Sequence, residues 1–171
     1  MFVRYIVLAI LALNSLYVIY LIVFPITIYP LVALFTLVDS SSFILGNIIA
    51  FKGEYIGIVR ACLAGAAYYL LLILNLSTPM NTTKRAKSLV FLLISFLIIN
   101  ILRIFAFSLL FVSGFYYFDL AHELSWYVLS IILVIILWFT NVKIFKIKAV
   151  PVYTDITSII NLIKIEKKKR K

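Results

Sequence analysis

From Val3 to Phe24 nearly every position is apolar, in a run long enough to cross a bilayer as a helix, which takes roughly 20 residues. It exceeds the apolar core of a signal peptide, and no small-residue cleavage site follows, so it reads as a retained first span over 3–24. Pro25 and Pro30 then interrupt the pattern. Residues 29–38 are apolar but only about half the spanning length, and Asp39-Ser40-Ser41-Ser42 ends them. From Asn47 to Val59 the pattern changes again: Lys52-Gly53 sits between two β-rich runs, which predicts a hairpin. A strand pair has edges that lipid cannot satisfy, so the whole of 25–60 is predicted to lie at the membrane surface. Three further apolar runs, about 61–77, 88–113 and 122–140, read as spans.

The expected fold class is an all-α integral membrane helical bundle of about four transmembrane helices, with a short extracytoplasmic β-hairpin-like segment. A fifth span, at 29–40, would reverse the N-terminus. Residues 1–141 form the bundle and 142–171 a basic cytoplasmic tail. In the tail Ile156, Ile159, Ile160 and Ile163 recur at helical spacing after Thr154 or Asp155 as a cap, predicting an amphipathic helix on the inner leaflet.

Composition sharpens this picture. The chain has 171 residues, 65% hydrophobic and 13% charged, with a mean hydropathy of +1.20. Soluble domains are about half apolar and about a quarter charged. The formal charge of +10 would suggest nucleic acid in a soluble protein, but here the basic residues mark topology. More than half of them lie from Lys143 onward, ending in "EKKKRK", and Lys84, Arg85 and Lys87 form another cluster. Such segments face the cytoplasm. Both ends are therefore expected inside, with Arg4 beside the first span, and the loop at 114–121 outside. Nucleic-acid binding is excluded on this ground.

Little chemistry is available. One cysteine permits no intrachain disulfide and no multi-thiolate metal site, and one histidine with six acids, none in the middle of an apolar run, suggests no metal cluster. On the topology above, Cys62 stands at the outer mouth of the second span and His122 at that of the fourth. Arg103 lies roughly 13 Å below the outer end of the third and is long enough to reach up. Each has an ordinary explanation: Cys as apolar filler, His as an interfacial polar group, Arg as a snorkelling cation. Arg103 resists it best, because a charge deep in a span costs about 2.5–3.5 kcal/mol and no acid lies in the interior of any span. Asn100 shares its helix face, and Gly65 shares that of Cys62. Asp119 would orient His122 or cap a helix.

Together the three groups suit acyl transfer: a thiolate nucleophile, an imidazole to move protons, and a guanidinium to stabilise an oxyanion. The non-catalytic alternative is a membrane scaffold or transporter subunit in which Arg103 binds an anionic ligand or a partner helix.

The motifs "ACLAGAAYYL" and "NILR", followed by a lone His opening the last span, resemble the archaeosortase and exosortase family over about Gly46 to Trp138. The resemblance implies a membrane cysteine transpeptidase without cofactor, acting on exported proteins that carry C-terminal tripartite sorting signals and passing them to a membrane lipid acceptor. It maps the family's catalytic Cys, Arg and His to Cys62, Arg103 and His122, and the Asn before the Arg to Asn100. It also implies a cell-membrane location with the active site near the extracytoplasmic face. Two departures stand out. Leu63-Ala64 separate Cys62 from Gly65 where many members have Cys-Ser-Gly, and no glycine follows His122 in "ELSW".

Overall fold

The structure, a computed structural model, describes residue 6, residues 8–10 and residues 16–147. The tail helix expected after Thr154 and the expected role of Arg4 lie outside the described residues. Helix α1 spans Tyr17–Val38. The three-stranded antiparallel sheet that follows, in the order β1-β2-β3, comprises β1 (Phe43–Leu45), β2 (Ile48–Phe51) and β3 (Glu54–Gly57). Helix α2 covers Gly65–Ser77, α3 Thr82–Val112, and α4 Phe118–Ile144, the last with a π-helical stretch at Ser125–Leu129. Three of these helices, α1, α3 and α4, are long and apolar enough to cross a membrane, and α2 is a shorter apolar helix.

The prolines do not end α1, contrary to the sequence expectation of a span over 3–24 and a surface segment from residue 25. Pro25 and Pro30 each withhold a backbone N–H, but the helix carries on through both. Packing holds it: Ile19, Val23, Ile28, Leu31 and Phe35 form one buried stripe, and the Phe35 ring lies 4.6 Å from Phe51 and 5.3 Å from Phe105.

Central helix α3 packs on α1, α2 and α4. Its buried line, Ser88, Leu92, Phe96, Asn100, Ile104 and Ser108, recurs every fourth residue, so one face looks into the bundle along its whole length. Contacts fix the directions. Ile19, Val23 and Ile26 share an apolar groove with Leu93 and Leu97, while Phe35 meets Phe105, so α1 and α3 run the same way. Helices α2 and α4 run against them, because Asn75 and Asn141 both reach Ser88 at the N-terminal end of α3.

With 13 residues, α2 is only about 20 Å long. The sheet occupies the space it leaves beside the C-terminal halves of α1 and α3. Ile49, Phe51 and Ile58 are buried in the same core as the helices, so this segment is a structural part of the bundle. The expected turn at Lys52-Gly53 is present, with φ of 50° and 84°, as a two-residue hairpin turn of type I′ requires. Strand β1 was not expected. It pairs with β2 from Phe43↔Ala50 to Leu45↔Ile48. Asp39 ties the end of α1 to the hairpin: its carboxylate accepts from the Ser41 N–H at 3.0 Å, the Ser41 hydroxyl at 2.7 Å and the Lys52 N–H at 3.1 Å.

The opposite end is closed by polar groups. Asn75 Nδ2 donates to Ser88 Oγ at 2.7 Å, and Ser88 Oγ donates to Asn141 Oδ1 at 2.9 Å, joining α2, α3 and α4. Arg85 donates to the carbonyls of Asn75 at 2.7 Å and Thr78 at 2.9 Å, satisfying acceptors that the C-terminus of α2 leaves open.

Candidate functional site

Between β3 and α2 the chain makes a tight turn. Cys62 N–H donates to Val59 O at 3.0 Å, Leu63 N–H to Arg60 O at 3.2 Å and Ala64 N–H to Ala61 O at 3.1 Å. Ala64 then adopts a left-handed conformation, φ 52°, that turns the chain into α2. Gly65 then lets the Tyr20 ring close over the turn: a Cβ there would lie 2.6 Å from that ring and make it shift. Cys62 therefore sits in the turn before α2, three residues ahead of the helix, which begins at Gly65 rather than near the expected boundary at 61.

Two α3 side chains hold this turn. Asn100 Nδ2 donates to the Cys62 carbonyl at 3.1 Å, and Arg103 Nη2 donates to the same oxygen at 3.3 Å. The other arm of Arg103 crosses to α4, where Nη1 donates to Ser130 Oγ at 2.6 Å and to Ser125 O at 3.4 Å. All these partners are neutral. The guanidinium thus bridges the cysteine turn and α4 from a position in the middle of the bundle.

The π-helical stretch explains how α4 meets it. Counting back from the buried positions Asn141, Leu137 and Val134 in regular helical steps reaches Ser130, then Tyr127 and Glu123. The extra residue in the wide turn moves the inward face to Ser125 and His122 instead. Ser130 N–H and Ser130 Oγ both donate to Ser125 O, the hydroxyl at 3.0 Å. Such turns are rare and recur at functional sites.

His122 is held by rings. Phe118 stacks on it at 5.2 Å with 25° between planes, Trp126 lies edge-on at 5.1 Å, and Phe107 approaches to 5.6 Å. Asp119 is exposed in the first turn of α4 and makes neither a side-chain cap nor a hydrogen bond to His122 among the described residues. Its charge sits favourably near the helix N-terminus, and it shares a surface pocket with His122, close enough for its charge to favour the imidazolium.

Cys62, Arg103 and His122 line one cavity of about 200 Å³, together with Ser125 and apolar walls from Ile104, Phe107 and Trp126. Strand β3 supplies the remaining side through Tyr55–Ile58. Among the described residues, Asn100 Oδ1, Ser125 Oγ and the Tyr68 hydroxyl are buried here without a hydrogen-bond partner. Sequence reasoning brought Cys62, Asn100, Arg103 and His122 together. It missed Ser125, Ser130, the aromatic frame of His122 and the wall formed by β3. The spacing of Ser125 and Ser130, five apart, is the only signal that could have pointed to the first two.

No family model, curated protein or solved structure matches this chain.

Proposed function

We propose that this protein is a membrane-embedded cysteine peptidase and transpeptidase of archaeosortase type. One observation carries the reading: a thiol, a guanidinium and an imidazole, from three separate elements, line the same small cavity. In this reading α1, α3 and α4 span the cell membrane, α2 is a shorter fourth helix, and the cavity opens near the extracytoplasmic face. The substrate is the C-terminal sorting tail of an exported protein.

Cys62 Sγ attacks the scissile carbonyl and passes its proton to His122. A tetrahedral oxyanion forms, and the Arg103 fork stabilises it. The long contact from Nη2 to the Cys62 carbonyl, 3.3 Å, is the one the oxyanion replaces. The C–N bond then breaks, and the leaving amine takes the proton from His122, leaving a Cys62 thioester. A second nucleophile, an amine or hydroxyl on a membrane lipid, or water, attacks the thioester and restores the thiol.

C-terminal peptide mapping of exported membrane proteins tests this, comparing native cells with a Cys62→Ser strain. Particular proteins should keep their apolar, basic tails only in the mutant, and the new termini in native cells identify motif and acceptor. Identical processing in both strains at equal protein levels refutes the peptidase reading. Arg103 would then be a binding group for an anionic ligand or partner helix, and Arg103→Ala, but not Cys62→Ala, would have an effect.

A further inference from the structure

We infer that the free edge of β3 is a docking strand for the substrate: an extended peptide joins the sheet as a fourth strand and thereby brings its backbone to Cys62. The inference rests on the peptidase reading above and concerns how that site holds its substrate.

The sheet order leaves β3 at an edge, with no strand beyond it among the described residues. Successive residues of a strand point to opposite faces. Yet Tyr55, Ile56, Gly57 and Ile58, four in a row, all line the cavity. A strand can do that only by presenting its edge.

The pairing shows which backbone groups that edge offers. Ile58 N–H donates to Asn47 O at 2.8 Å, which makes Asn47 and Ile58 a hydrogen-bonded pair. The register continues Ile48↔Gly57, Ile49↔Ile56, Ala50↔Tyr55 and Phe51↔Glu54. Hydrogen-bonded and non-bonded pairs alternate in an antiparallel ladder. Glu54, Ile56 and Ile58 therefore turn their N–H and C=O groups toward β2, whereas Tyr55 and Gly57 turn theirs outward. The outward groups stand about 7 Å apart, the two-residue repeat of any extended peptide. Gly57 adds access, since nothing lies within 4 Å of where a side chain would begin.

Beyond Gly57 the chain runs through Ile58 and Val59 directly into the turn that carries Cys62. A peptide laid along β3 is thus guided by the same backbone that positions the thiol. Main-chain pairing of this kind gives affinity without demanding a sequence, and leaves selection to the side-chain pockets. An unpaired edge is otherwise a liability that proteins cover or charge. Here only Glu54 on β3 is charged.

The test uses the full chain in detergent micelles and two probes, an acetyl thioester and an acetyl-pentapeptide thioester of Ala, Val and Gly. Cys62 Sγ displaces the probe's thiol, which leaves with the proton and is read by its colour reaction, and water then hydrolyses the enzyme thioester to the acid. The peptide probe should be preferred about tenfold or more, through KM. Gly57→Pro removes one outward N–H while sparing the ladder donors of Ile56 and Ile58, and should lower the peptide-to-acetyl ratio about tenfold. On the native protein, N-methylation of single peptide bonds should impair binding at alternate positions only. Equal Cys62-dependent turnover of both probes, or methylation effects without that alternation, overturns the docking strand and leaves the peptidase reading standing. If no probe is consumed in a Cys62-dependent way, both fall.

Discussion

Asn100→Leu separates holding the site from holding the fold. Asn100 is 1% exposed and its side chain has one good bond, Nδ2 to the Cys62 carbonyl at 3.1 Å, while Oδ1 is buried with no partner among the described residues. A neutral hydrogen bond contributes about 0.5–1.5 kcal/mol net, and a buried unsatisfied acceptor costs about 1–3 kcal/mol. Leucine is nearly isosteric, removes both terms, and leaves Arg103 Nη2 on the carbonyl at 3.3 Å. The global stability should therefore stay within about 1 kcal/mol of native or rise slightly. The cysteine turn, however, loses the shorter of its two tethers, and turnover of the thioester probes should fall about tenfold or more. Unfolding in sodium dodecyl sulfate, read by tryptophan fluorescence, measures the first quantity, and released thiol the second. A loss of more than about 3 kcal/mol would refute the reasoning, because Oδ1 would then have a partner worth keeping.

Ser88→Ala leaves Asn75 Nδ2 and Asn141 Oδ1 without their bonds of 2.7 and 2.9 Å and should destabilise the bundle by about 1–3 kcal/mol in the same unfolding assay. Gly65→Ala drives a methyl group into the Tyr20 ring and should cost about 1–3 kcal/mol, with Tyr20→Leu in the same chain recovering part of it. The Asp39 carboxyl is held below its ordinary value of 3.8, chiefly by the Ser41 hydroxyl and then by the Ser41 and Lys52 amides. Its contribution is accordingly complete above that value and is lost as pH falls through the depressed one. Amide exchange at Ser41 and Lys52 should accelerate in that acid window, and Asp39→Asn should remove the dependence.

The legible parts of this molecule were those written in local chemistry. Lys52-Gly53 announces a tight turn because few pairs tolerate positive φ twice in succession, and the apolar run around Asn100 and Arg103 announces a buried polar site because those groups are costly there. The fate of Pro25 and Pro30 was not legible. A proline removes one bond locally, and whether the helix survives depends on packing by Phe51 and Phe105, far along the chain. The same holds for β1, whose three residues are too few to display an alternating pattern and whose partner is β2. Ser125 and Ser130 escaped notice because periodicity assumes a uniform helix, and α4 is not uniform.

That non-uniformity amounts to one residue more than a regular helix needs between Ser125 and Ser130. Removing a single residue there, Val128 for instance, would let α4 close into an ordinary spiral and swing everything before it by about 100°. His122 and its aromatic frame would leave the cavity, while Val134, Leu137 and Asn141 would stay seated. Chain length within this one turn thus acts as a rotary setting between a helix that merely packs and one that also faces Arg103.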